Sequence, residues 1–173
     1  MWLCDLLLTR PQSIPLALRR WLHERCYKNA EYLFRGTTRG FPGHDGVREL
    51  HRTCTSTDPL VATLFAIESS RYGEGVVHIA LRRRFRRLIV PANNYENLER
   101  EVAVNLLPVT FAARSDFTIT AQQARDILVN LGLANIPPAI ANLNHFHLAL
   151  VIRARITEEH VQEFIKRAIR VAV

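Results

Sequence analysis

Lysine is almost missing from this chain: Lys28 and Lys166 are the only two. Yet 23 basic residues face 16 acidic ones over 173 positions, a formal net charge of +7. The positive charge is therefore arginine, whose planar fork suits two-pronged contacts to phosphate; a codon bias toward arginine would leave the same composition. A basic chain favours an anionic partner, whether nucleic acid, nucleotide or acidic protein face, although many basic domains bind none. Cysteine is also scarce. Cys4, Cys26 and Cys54 form no CxxC pair and no metal-ligand spacing, which argues against a disulfide scaffold, fits a reducing compartment and makes each a small buried residue. Long apolar runs are absent, so no membrane-spanning helix and no membrane partner is expected. The opening MWLCDLLLTRPQSIPLALRRW has no basic start, is interrupted by Asp5 and offers no small-residue cleavage site. It reads as part of the domain rather than a signal peptide. The expected location is cytoplasmic, or a target cell reached without a cleaved signal. Repeats and low-complexity segments are lacking too.

What is present is enough apolar material for a core. Hydrophobic residues make up 48% of the chain, and the length suits one domain spanning 1–173. Spacing predicts a helix over Ser13–Tyr27 with Leu16, Leu18, Trp21 and Leu22 inward. A strand follows at Tyr32–Thr37, then a Gly/Pro-rich loop, TRGFPGHDG, and a β-prone stretch at Arg52–Thr57. Asp58-Pro59 is an N-cap followed by a first-turn proline, opening a helix that ends before Gly73. Strands are expected at Gly75–Leu81, Leu88–Val90, Glu101–Leu107 and Val109–Ala113, with a turn at Asn93–Asn97 and a bend at Pro108. Thr120 to Gln123 is a capping box for a helix reaching about Leu133, broken by Ile136-Pro137-Pro138. A strand at His145–Arg155 and a last helix capped by Thr157 complete the chain, with Glu158 and Glu159 at its positive end and Lys166, Arg167 and Arg170 near its negative end. Without regular βαβ alternation the class is α+β.

Three short motifs can carry chemistry. In Phe34-Arg35-Gly36-Thr37, an arginine at a strand end can fork onto phosphates while glycine admits a ligand closely; an arginine before a surface turn looks the same. Thr55-Ser56-Thr57 before Asp58-Pro59 can orient a carboxylate or ligand hydroxyl, or merely lead into a capped helix. In Glu99-Arg100-Glu101, residues two apart in an extended segment share a side. That can be a solvated edge, but the pair opens the apolar strand Val102-Ala103-Val104, where charge is costly unless solvent or ligand meets it.

In this order, Arg35, Thr55-Ser56-Thr57 and Glu99-Arg100-Glu101 resemble the arginine–serine–glutamate class of mono-ADP-ribosyltransferases, which includes toxin-like and effector-like enzymes. The likeness covers about Tyr32–Phe117 and extends to the VATLFA helix after the hydroxyl motif. The stretch between Arg35 and Ser56 is short for the family, which suggests a minimal version of the fold. The resemblance implies an ADP-ribosyltransferase-like split mixed or antiparallel β-sandwich with flanking helices. It implies NAD⁺ as substrate, no metal, and transfer of ADP-ribose to a macromolecular acceptor with release of nicotinamide.

Residue by residue, it implies that Glu101 stabilises the oxocarbenium-like transition state, Ser56 orients Glu101, and Glu99 serves the acceptor. Arg35, Gly36, Thr55 and Thr57 would line the cofactor site, with Arg71 and Tyr72 of RYGEG covering it; a plain surface loop is the other reading of those two. A glutamate at position 99 points to protein arginine as acceptor. The basic run Arg82-Arg83-Arg84-Phe85-Arg86-Arg87 points to RNA or DNA, or is a solvated connection. The family and the size suggest a toxin, effector or defence role with a neutralising antitoxin or immunity partner. Two rivals stand beside this: a non-catalytic basic nucleic-acid-binding domain, and an NAD⁺ glycohydrolase on the same scaffold. His145-x-His147 lacks a third metal ligand, and His44-Asp45 lacks a nucleophile.

Overall fold

In the computed structural model, residues 30–39, 53–85, 88–89, 101–133, 136 and 156–172 are described, with Leu88, Ile89 and Glu101 described through their backbone. The expected helix at 13–27, most of the Gly/Pro loop, the 93–97 turn, the 145–155 strand, Glu99, His44, Asp45, Cys4 and Cys26 lie outside these residues. The class is α+β. Among the described residues six strands, β1 (Tyr32–Thr38), β2 (Thr53–Ser56), β3 (Gly75–Leu81), β4 (Leu88–Ile89), β5 (Glu101–Val104) and β6 (Phe117–Thr120), form one sheet in the order β4-β5-β2-β1-β3-β6. Every pairing is antiparallel. Among the described residues four α-helices accompany them: α1 (Pro59–Ser69), α2 (Pro108–Arg114), α3 (Ala121–Asn130) and α4 (Glu158–Val171).

Alternation along β1 sorts side chains between two cores. Phe34 pairs with Ile79 and Gly36 with Val77; Phe34, Val77, Ile79 and Ile119 lie under α1, α3 and α4, packed with Leu60, Leu64, Ile127, Leu128, Phe164 and Ala168. Phe34 meets Phe164 edge-on, their ring centroids 5.9 Å apart, a favoured aromatic geometry. On the other face Leu33, Ala80, Phe85, Val102, Val104 and Phe111 make a second cluster, with Phe85 stacked on Phe111 at 5.2 Å.

Helix α1 is apolar on all sides and is buried along most of its length, as such a composition requires. It starts where expected: Asp58 Oδ1 accepts from the Leu60 amide at 2.9 Å, with Pro59 in the first turn. Its approach to the sheet needs glycine. A Cβ on Gly36 would stand 1.8 Å from the Ala62 carbonyl oxygen, and one on Gly75 2.2 Å from that of Ala66. Two glycines on neighbouring strands thus form a trough for the helix backbone. The helix ends at Ser69 and continues as a 3₁₀ turn, Ser70–Tyr72, before Gly73.

Capping boxes form on α3 and α4. Thr120 exchanges bonds with Gln123, and Thr157 with His160. On α4, Phe164, Ile165 and Ala168 face the core while Glu163, Lys166 and Arg167 form a surface ion-pair group. Two expectations fail in the middle of the chain. The Val109–Ala113 strand is helix α2, because Pro108 occupies a first-turn position that needs no amide hydrogen; Phe111 is buried while Val109 is 58% exposed, a pattern alternation would not give. The strand from Glu101 stops at Val104 rather than Leu107, and Phe117–Thr120, unforeseen, is strand β6. No helix among the described residues is long and apolar enough to cross a membrane.

Candidate active site

The three motifs fall on three adjacent strands. Arg35 and Gly36 are in β1, Thr55 and Ser56 in β2, and Glu101 opens β5. Phe34 pairs with Ser56, and Ser56 pairs with Glu101. One cross-strand row thus runs from the residue before the arginine, through the serine, to the glutamate.

The seam between β1 and β2 is narrow, with Phe34 and Ser56 its single registered pair. Arg35 extends it by side chain: Nη1 donates to the Cys54 carbonyl at 2.7 Å, and the residue is 3% exposed. The buried guanidinium therefore ties β1 to the β2 backbone just where the backbone ladder ends. Being next to Phe34, Arg35 leaves the face of β1 opposite to Phe34, the face that carries Leu33.

The hydroxyls of the second motif are engaged. Thr55 Oγ1 donates to the Val102 carbonyl at 2.5 Å, and nearby Thr53 Oγ1 donates to that of Leu106 at 2.6 Å. These bonds lock β2 onto β5 and so hold the Ser56–Glu101 register. Ser56 Oγ accepts from the Asp58 amide at 3.0 Å, turning the chain into α1. Thr57 is half-buried beyond the strand end. By alternation Thr55 shares the Arg35 face, whereas Ser56 shares that of Phe34 and Gly36. Gly36 itself is filled by α1, so its lack of a side chain serves helix packing.

Arg71 and Tyr72 stand apart from this row, on the 3₁₀ turn after α1. The Arg71 guanidinium lies over the Tyr72 ring, 4.6 Å from its centre, and 3.8 Å from the Glu68 carboxylate. Tyr72 is 68% exposed. The turn abuts the end of β1, where Thr38 Oγ1 donates to the Ser69 carbonyl at 2.9 Å. The basic run opens with a second 3₁₀ turn, Arg82–Arg84, in which Arg84 pairs with Asp116.

Sequence reasoning missed His78. It faces Arg35 directly across β1–β3 and Thr118 across β3–β6, and its Nδ1 lies 2.8 Å from Thr118 Oγ1. Burial first, then the charges of Arg35 and Arg39, push its pKa down to about 4. The signal was one titratable residue inside the otherwise apolar strand GVVHIAL, set on the same side as Arg35 by alternation.

Among the described residues no group of three or more His, Cys, Asp or Glu side chains could hold a metal ion. Comparison with family models, curated proteins and solved structures finds no match for this chain.

Proposed function

We propose that the protein is an NAD⁺-dependent mono-ADP-ribosyltransferase. The observation that carries this reading is the cross-strand pairing of Ser56 with Glu101 beside β1, whose Arg35 ties to the β2 backbone from the opposite face of the sheet. Residues far apart in sequence, picked for one chemistry, meet on three neighbouring strands in the arginine–serine–glutamate order. Helix α1, directly after the serine strand, is where that class carries one. In this reading the β1–β2 seam, spanned by the Arg35 side chain, is the split of an ADP-ribosyltransferase-like sandwich.

The chemistry follows from the residue types. The bond between ribose C1′ and the nicotinamide nitrogen breaks, and its electron pair leaves with nicotinamide. The ribose becomes oxocarbenium-like, and the Glu101 carboxylate stabilises that charge. Ser56 positions the glutamate strand, and Arg35, on the opposite face of the sheet, braces β1 against β2. An acceptor nucleophile then bonds C1′ and gives its proton to Glu99. A carboxylate there suits an arginine side chain as acceptor. Pairing of Arg84 with Asp116 takes charge from the basic run and leaves nucleic acid the weaker acceptor.

The decisive experiment incubates the protein with NAD⁺ labelled in the adenylate half and with separate protein and nucleic-acid pools. Label in the protein pool with free nicotinamide is the expected result. Nicotinamide release with label in neither pool makes the protein a glycohydrolase; intact NAD⁺ in every pool removes the enzymatic reading. Toxin, effector or defence action, and a neutralising partner, follow from this reading only through the family resemblance.

A further inference from the structure

We propose that the Arg82–Arg84 turn, with Arg114 beside it, is a surface that binds the sugar–phosphate backbone of a nucleic acid without reading its sequence. The turn is a short 3₁₀ helix that follows β3, and the fold pins it from several sides. The Arg82 amide donates to the Glu31 carbonyl at 2.9 Å, and the Phe85 amide donates to the Arg82 carbonyl at 3.0 Å. Phe85 is buried and stacks on Phe111 of α2. Asp116 closes the other side. Its Oδ2 accepts from the Leu81 amide at 2.7 Å, its amide donates to the Ile79 carbonyl at 2.8 Å, and its carboxylate pairs with Arg84. Arg114 ends α2 just before Asp116 in the chain, which brings it to the same corner.

Of these guanidinium groups only that of Arg84 is neutralised within the described fold. Among the described residues Arg82, Arg83 and Arg114 have no carboxylate partner, and Arg82 Nε is buried without an acceptor. The Glu31 carboxylate, beside the turn, is drawn toward α4 by Gln162 Nε2 at 3.0 Å. Arg83 and Arg114 are exposed, so a rigid backbone holds uncompensated charge at the solvent. A 3₁₀ helix rotates by roughly 120° per residue, and successive side chains therefore fan outward instead of converging on one point. Such a fan suits a row of phosphates better than a single carboxylate or a compact ligand. Arginine forks onto phosphate with two bonds, and a net charge of +7 favours a polyanion. The one exposed aromatic ring among the described residues, Tyr72, stands at the far end of β3. Bases find no stacking platform beside the turn, so contacts stay on the backbone. A nucleic acid held here is a tether and not the acceptor, and its binding does not rest on the transferase reading.

The test is fluorescence anisotropy with a labelled mixed-sequence oligonucleotide, supplied as RNA and as DNA, over a series of chloride concentrations. Affinity should fall linearly with salt on logarithmic axes. Arg83→Gln and Arg114→Gln should each flatten that slope by about one, and together they should weaken binding about tenfold or more at low salt. Lys166→Gln with Arg170→Gln on α4 removes the same charge elsewhere. That helix packs on the Phe34 core, across the sheet from Phe85, and this pair should leave the slope near the parent's. Melting temperatures check that each variant is folded. Parental binding by the Arg83 and Arg114 variants overturns the surface, as do equal losses in the two double variants, which would show net charge alone at work. Binding of polyglutamate where neither oligonucleotide binds gives the turn to an acidic protein face and overturns the nucleic-acid partner. The tighter of the RNA and DNA arms names the source of the phosphates. The slopes are measured without NAD⁺, and the transferase reading is scored separately by nicotinamide release, so either proposal can fail while the other stands.

Discussion

Ser56 stands directly across the β2–β5 ladder from Glu101. Two threonines beside it, Thr53 and Thr55, fasten the same two strands by donating to backbone carbonyls of the β5 region. Strand register is an all-or-none property, since a slip of one residue exchanges faces. The position of Glu101 thus depends on bonds made by its neighbours.

On the proposed mechanism, Glu101→Gln removes the charge and keeps the shape. Nicotinamide release from NAD⁺ should fall by about 10²–10³-fold, the range for losing one key transition-state contact. Far-ultraviolet dichroism and melting temperature should stay near those of the parent. A folded variant that cleaves NAD⁺ at the parental rate would remove Glu101 from the chemistry.

Thr55→Val tests the fastening itself. The hydroxyl bond to the Val102 carbonyl is lost and a buried acceptor is left without it, at a cost of about 1–3 kcal/mol. Amide exchange along β5 should accelerate more than exchange in β3. Equal protection of β5 in parent and variant would show that the register is held by other means.

Glycine has opposite meanings at two positions. A methyl group on Gly36 collides with the α1 backbone at Ala62, and backbone cannot swing aside as a side chain can. Gly36→Ala should cost about 3 kcal/mol or more, at the upper end of overpacking effects. Gly132, at φ +70° with nothing within 4 Å of the added carbon, meets only the left-handed backbone penalty, so Gly132→Ala should cost about 1 kcal/mol. Paired chemical denaturation of the two variants checks the ranking; equal losses would contradict the trough.

Most of this architecture was legible where local chemistry decides. Asp58-Pro59, Thr120 with Gln123, and Thr157 announce helix starts through side-chain groups that satisfy the first amides, and those starts are correct. Pro108 was ambiguous because it suits both a bend and a helix's first turn; what resolved it was burial of Phe111 against Phe85, a contact between segments remote in sequence. Phe117–Thr120 is too short to show a period and becomes a strand through pairing with β3. At the site, motif order named three segments that fall on adjacent strands. It did not foretell that Arg35 would donate to the Cys54 carbonyl or that His78 would stand opposite it, because register depends on the whole sheet.

The Arg35 tie gives a further test. Arg35→Lys keeps the charge but lacks the fork that reaches the Cys54 carbonyl. With the residue this buried, stability should drop by about 1–3 kcal/mol. Amide exchange at Cys54 and Thr55 should rise together with the loss of activity. If the lysine variant melts with the parent, the guanidinium is not what joins β1 to β2.

The last prediction concerns acid. In the fold His78 is held neutral down to about pH 4 by burial and by Arg35 and Arg39, whereas in the unfolded chain it titrates near 6.5, the value for a free imidazole. Between those two values the unfolded state binds the proton that the folded state refuses. Protonation therefore favours unfolding, and the His78 contribution to stability is fully present above the unfolded pKa and is lost as pH falls through the window from about 6.5 to about 4. Half-burial screens part of the effect, which leaves a loss on the order of 2–3 kcal/mol. His78→Gln cannot take up that proton, so its stability should change less than the parent's over the same range. Urea unfolding of both proteins at several pH values between 4 and 7.5 reads the difference directly. Parallel curves for parent and variant would mean that His78 does not stay neutral beside Arg35, and the electrostatic picture of that sheet face would have to be abandoned.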